Sequence, residues 1–449
     1  MSAHTTQRQS LNASNFAKIA SLALTGTLVG FFVVSYLPGA LDVDNRLITV
    51  PFRGLMLGFL IYTGYRWISM GGLSTRMSPI TLLALFFGTS YCTRFIADAG
   101  LLQVPLGSPP SDMALYLFGM CVPTFIIFYL IKDITLYRRA LVWGVIALGA
   151  CCLVSAFWTR TAAVSSGAGH QANSLVSHIE YGHMGVTTVI LGLFLALNVG
   201  RSYPPWYLRL SAVAAVSLGV FTLLAASSRG ALVAGILLIP FVLYMGIRHG
   251  SKLGTIGICV VFGVLLPATI SYLARNDKQV IRQIASAAAY SSASESIYAR
   301  QVMMGDAWRQ YLTHPWLGSS IVERNSLSYP HNSIVEAFMA TGTFGGTAFV
   351  LLVLLATHRA FRLIKYDPVI AWIPLCFFQQ LVASMFSGGL YANVALWGMM
   401  AIMLGTQSRR MYATADRSQI QFAGYSRGRS SLLLAGGKGC SETIIAAPN

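Results

Sequence analysis

The chain alternates long apolar runs with short polar connections. A helix rising 1.5 Å per residue needs about 20 apolar residues to cross a bilayer. About twelve runs approach that length: 16–37, 47–70, 79–98, 113–131, 140–159, 182–200, 207–226, 230–247, 253–273, 333–356, 369–387 and 391–408. They are continuous, whereas barrel strands would show alternating segments of about ten residues. Only helices and closed barrels satisfy the backbone in lipid. The pattern therefore predicts an all-α polytopic membrane protein with about twelve transmembrane helices.

One stretch breaks the pattern. Ala274 to His331 carries Arg275, Lys278, Arg282, Arg300 and Arg309 beside Asp277, Glu295, Asp306 and Glu323, and it closes on Tyr329-Pro330-His331-Asn332. The expected organisation is an N-terminal bundle of about nine spans (1–273), a large loop (274–332), about three further spans (333–411) and a tail (412–449). Within the loop, Ser294–Leu312 reads as a helix. Ser294 can cap it, Glu295 suits the N-terminal dipole, and Tyr298, Val302, Gly305, Trp308 and Leu312 form a helical stripe. His314-Pro315 stops it and Gly318-Ser319-Ser320 turns the chain. The helix is expected to lie on the membrane surface with its stripe down, holding Arg300, off the stripe, above the bundle.

Composition agrees with the membrane reading. The chain is 55% hydrophobic and 10% charged, against about 25% charged in soluble domains. The net charge of +17 could signal nucleic acid, but most Lys and Arg collect in short loops on one side, as membrane topology demands. That side holds Arg76, Lys132, Arg138, Arg139, Arg201, Arg209, Arg248, Lys252, Arg359, Arg362, Lys365, Arg409 and Arg410. The positive-inside rule makes it cytoplasmic, with both termini inside and the large loop outside, periplasmic in a bacterium. No cleavable signal peptide precedes the first run, which reads as a retained signal anchor. The Arg-, Gly- and Ser-rich tail from Tyr412 reads as a disordered cytoplasmic extension. Of the seven cysteines, all but Cys440 fall in apolar runs, so they imply neither a disulfide framework nor a metal site.

The candidate chemistry gathers at one membrane face. Arg160 closes the fifth run, and His170, Asn173, His178, Glu180, Tyr181 and His183 follow it. Ser227-Ser228-Arg229-Gly230 is the whole connection between the seventh and eighth runs, and His331 and Asn332 open the tenth. Asp98 and Glu336 are the acids nearest the span midplanes, and both sit toward the outer ends. This counts against a proton- or cation-coupled transporter, which concentrates ionisable groups near the midplane. Arg229 reads either as an interfacial arginine snorkelling to water or as an anion site, since a guanidinium binds phosphate bidentately. His331 reads either as structural or as a base, its ordinary pKa of ~6.5 leaving neutral imidazole available. His178, Glu180 and His183 could bind metal, but no HExxH or DxD-type pattern supports it and no metal is expected. Glu336, five residues along from His331, reads as a packing or capping partner.

Three separated motifs then fall in order: SSRGAL opening the eighth run, Arg300 and Trp308 followed by HPWLGSS in the loop, and YPHNSIVEAFMATGTFGG opening the tenth. Together they resemble the O-antigen ligase/polymerase family, most specifically from Ser227 to Gly346. The resemblance implies glycosyl transfer from an undecaprenyl-diphosphate-linked O-antigen to a sugar hydroxyl of lipid A–core oligosaccharide. It implies inversion at the anomeric carbon, no metal or other cofactor, and a bacterial inner-membrane enzyme whose site faces the periplasm. Membrane lipids are expected partners and nucleic acid is not. By motif, Arg229 and Arg300 match the arginines that hold the donor diphosphate, and His331 the histidine base. Arg160, Tyr181, His183 and Asn332 are further substrate-binding candidates. An O-antigen polymerase with a lipid-linked glycan acceptor is the alternative within the family, and a lipid or solute transporter the alternative outside it.

Overall fold

The computed structural model describes residues 2–35, 43–72, 78–162, 178–197, 206–226, 228–249, 263, 271 and 295–406. These lie in one compact unit, Met1–Thr406. The expected span at 253–273, the first part of the large loop and the tail fall outside the described residues, apart from isolated positions. Among the described residues, nine helices are long and apolar enough to cross a membrane. They are α1 (Ser14–Ser35), α2 (Arg46–Ser69), α3 (Pro79–Leu101), α4 (Pro110–Leu130), α5 (Ile134–Ala156), α6 (Ile179–Ala196), α7 (Trp206–Ala225), α8 (Gly230–Arg248) and α10 (Ser333–Tyr366). The loop helix α9 runs Glu295–Thr313, within a residue of its expected bounds at each end.

The last two apolar runs depart from expectation. They form α11 (Trp372–Ser384) and α12 (Val394–Gly405), each shorter than the ~20 residues a span requires. A turn at Ser387–Gly389, with Gly388 at φ +84°, and the capping side chain of Asn393 end the helical pattern between them. The connecting backbone, 385–393, is therefore free to make contacts outside a helix. It forms much of the candidate site.

α10 is the other irregular element. Its length of 34 residues conceals a break at Gly342, where φ is 66° and ψ −166°, a region open essentially to glycine alone. The loop segment after α9 fills the break. Pro315 O accepts from Thr343 N at 2.6 Å, and Ser319 N donates to Met339 O at 2.9 Å. A Cβ on Gly342 would lie 2.2 Å from Trp316 O. The loop is thus built into α10 through backbone groups that an unbroken helix would use internally.

α3 fixes the same segment from another side. Arg94 donates to the carbonyls of Leu317, Gly318, Ser319 and Ala340. Asp98, fully buried, accepts from Ile321 N at 2.9 Å. Farther along, buried Glu323 closes a tight turn by accepting from Asn325 N and Ser326 N. The acid noted from sequence near the end of the third run is therefore an anchor for the loop.

On α9 the face turned inward carries fully buried Ala307 and partly buried Arg300, Met303 and Tyr311. Tyr298, Val302, Trp308 and Leu312 of the expected stripe are exposed. The expected downward stripe is thus exposed within the protein, apart from an edge contact of Trp308 with Phe338 of α10, and it is Arg300 that faces the bundle.

Candidate functional site

His331 sits between Pro330 and the Asn332 cap of α10. Its φ is 54°, a left-handed conformation disfavoured for residues with a Cβ. Asn332 follows as the helix cap: its side-chain oxygen accepts from Ile334 N and Val335 N, both at 3.1 Å. The His331 ring stands edge-on to Tyr329 with centroids 4.6 Å apart. Its Nδ1 is buried without a hydrogen-bond partner. Burial, and secondarily the Arg300 charge, lower its pKa to about 4. His331 is therefore a neutral imidazole at neutral pH.

Arg300 reaches this place from α9. Its Nη1 donates to the Phe386 carbonyl at 3.2 Å, and its charge acts on both His331 and Tyr329. Phe386 also meets the turn before α8: a Cβ on Gly230 would lie 3.1 Å from Phe386 Cβ. The start of α6 closes on the same turn, since a Cβ on Gly182 would lie 2.9 Å from Ser228 Cβ. One residue of the 385–393 connection thus touches the α9 arginine and the Ser228-Arg229-Gly230 turn. The Arg229 side chain, like that of Arg160, lies outside what is described, although the backbone of each belongs to a helix.

Glu336 locks the connection in place. It is fully buried, accepts the Tyr91 hydroxyl proton at 2.6 Å, and accepts Leu390 N–H at 3.0 Å from each oxygen. Its sequence reading as a packing partner fits these contacts. Tyr329 and Tyr391 line the region around it. Burial, reinforced by the Glu336 charge, pushes both phenols above their ordinary range, so both remain protonated donors at neutral pH.

The remaining candidates lie elsewhere. Tyr181 is buried beside Thr222 and Ser155. His183 is buried in a polar network with Gln379, whose Nε2 is 3.4 Å from its Nδ1. The same Gln379 joins Thr187 and Gln380. The contacts described for these residues tie α6 to α5, α7 and α11, and none reaches His331 or Arg300. Asn332 spends its oxygen on the helix cap. His170 and Asn173 fall outside the described residues. Sequence reasoning passed over Phe386, Leu390 and Tyr391. The available signal was Ser387-Gly388-Gly389 at the junction of the last two apolar runs, but which side chains such a junction meets is a matter of packing.

This geometry can support proton transfer beside a bound anion. A neutral base, a guanidinium with one N–H committed to Phe386 and others available, and two protonated phenols surround one seam between loop and bundle. Residues 212–350, which include the Ser228-Arg229-Gly230 turn, Arg300, His331 and Glu336, match the family described as O-antigen ligase. This stretch is similar to O-antigen ligases. Among curated proteins, none matches the chain significantly. The match supports a glycosyltransferase-like activity of the ligase/polymerase type on lipid-linked glycans, and the nine long apolar helices among the described residues agree with a multi-pass membrane protein of lipopolysaccharide assembly.

Proposed function

We propose that this protein transfers O-antigen from undecaprenyl diphosphate to a sugar hydroxyl of lipid A–core oligosaccharide, at the periplasmic face of the bacterial inner membrane. The observation that carries the reading is the placement of His331, neutral and partly buried, within the field of Arg300 at the seam. In the proposed step the acceptor hydroxyl gives its proton to His331 as its oxygen bonds to the anomeric carbon from the face opposite the phosphate. The bond from that carbon to phosphate oxygen breaks, inverting the centre. Undecaprenyl diphosphate leaves with the electron pair.

Charge grows on the leaving diphosphate during that step, so arginines already in place stabilise the transition state more than the ground state. Arg300 from the loop and Arg229 from the bundle are proposed for this role. General-base assistance by His331 is worth about 10²–10⁴ in rate, and the inverting displacement needs no covalent enzyme intermediate.

The test mixes purified full-length protein with lipid-linked O-antigen and lipid A–core and measures capped lipopolysaccharide. The expected result is product with wild type and a loss of at least 10²-fold with His331→Ala, with donor binding retained. Lengthening of the donor alone would instead identify a polymerase. Full turnover by His331→Ala would remove the histidine as the base.

A further inference from the structure

A second arginine group lies deeper in the bundle, unused by the mechanism above. Arg53 of α2 is 7% exposed. Its Nη2 donates to the Tyr116 hydroxyl of α4, and its guanidinium carbon lies 3.6 Å from the centroid of the Tyr116 ring. Its Nε is buried without a hydrogen-bond partner. Among the described residues, no carboxylate stands within ion-pair distance of it.

Such a charge is costly. An uncompensated ion in a low-dielectric interior costs several kcal/mol, and arginines inside spans ordinarily pair or mark a substrate path. A tyrosine ring and hydroxyl orient the guanidinium without neutralising it, and the two carboxylates that act on Tyr116, Glu180 and Asp112, stand outside ion-pair distance of it, Asp112 pairing with Arg46. The position is also continuous with the candidate site. Tyr391 lies within electrostatic reach of Tyr116 on one side and of Tyr329 and Glu336 on the other. Glu180 is similarly near both Tyr116 and Tyr329. Tyr391 is thus near enough to act on both Tyr116, beside Arg53, and Tyr329, beside His331.

We propose that Arg53, oriented by Tyr116, forms a second anion subsite that takes a phosphate of a lipid substrate. Two lipids carry such a phosphate, the polyprenyl-diphosphate donor and the phosphorylated acceptor lipid, and the subsite rests on the transferase reading for its place in turnover. Tyr116 is a positioning residue, since it acts through Arg53.

The experiment measures binding of undecaprenyl diphosphate, undecaprenol and lipid A–core to the full chain in lipid nanodiscs, alongside turnover with complete substrates. Thermal unfolding of each variant checks its fold. Arg53→Met is expected to weaken binding of at least one phosphate-bearing lipid tenfold or more and to leave undecaprenol binding unchanged. Arg53→Lys should recover part of the loss, because the charge returns without the bidentate fork, and Tyr116→Phe should lose less than Arg53→Met. Weaker undecaprenyl diphosphate binding identifies the donor, and weaker lipid A–core binding alone identifies the acceptor. Wild-type affinity of Arg53→Met for both phosphate lipids overturns the subsite, whether or not turnover falls. If Arg53→Met fails to fold, wild-type affinity in both Arg53→Lys and Tyr116→Phe overturns it. A wild type that binds phosphate lipids through Arg53 but transfers no glycan would sink the transferase reading and leave the subsite standing.

Discussion

Arg300 donates to the carbonyl of Phe386 at 3.2 Å, although 86 positions separate them in the chain. The contact ties the amphipathic loop helix to the connection between two short apolar helices. Because Phe386 also lies against Gly230, the loop arginine and the bundle turn share one neighbour. The seam between loop and bundle is a packed interface, with Phe386 as its common element.

That interface makes Gly230 a sensitive position. A Cβ there would lie 3.1 Å from Phe386 Cβ and 3.6 Å from Cγ, so Gly230→Val should push Phe386 and shift the carbonyl that holds Arg300. Turnover should fall at least tenfold with a small change in unfolding temperature, since misplacing reacting groups by about 1 Å can cost 10² in rate. Turnover equal to wild type would show that the shared contact does not position Arg300.

The pH dependence has a defined sign. A base must be neutral, and burial followed by the Arg300 charge lowers the His331 pKa to about 4. The acid limb of kcat/KM should therefore lie near pH 4, with a flat profile between pH 5 and 8. Arg300→Gln removes the second cause and should move the limb upward, short of 6.5 because burial persists. On stability, an unfolded chain protonates this histidine near pH 6.5 while the folded chain does not until about 4. The group consequently disfavours the folded state increasingly as pH falls from 6.5 to 4, and has no such effect above that window. A wild-type acid limb at the ordinary histidine value would contradict the assignment.

Glu336 is expected to act on position rather than chemistry. Glu336→Gln keeps the size but replaces one of two accepting oxygens by a donor, so the Tyr91 and Leu390 contacts cannot all be kept. Leaving a buried donor unmet costs about 1–3 kcal/mol, which unfolding in denaturant would read as a lower midpoint. Turnover should fall with it as the 385–393 connection shifts, while Tyr91→Phe, which spares Leu390, should do less on both measures. Unchanged stability in Glu336→Gln would exclude the clamp.

Much of this protein is legible without coordinates. The nine long spans among the described residues and the bounds of α9 follow from local chemistry, apolar length and helical period, whereas the use of Asn332 as a cap and the exposure of the α9 stripe do not. The SSRGAL, HPWLGSS and YPHN motifs likewise mark the family, because they are contiguous in the chain. What required the tertiary structure was long-range. Nothing local says that Gly342 breaks α10 to admit Pro315–Ser319, that Asp98 holds Ile321, or that Glu336 bolts Leu390 to Tyr91. Nor does a polar position near a membrane face distinguish His331, beside Arg300, from His183, buried against Gln379. Local patterns record what each segment needs to satisfy its own backbone and hydrophobic face. Which polar groups meet across segments depends on how those faces pack, and that is where the candidate site was decided.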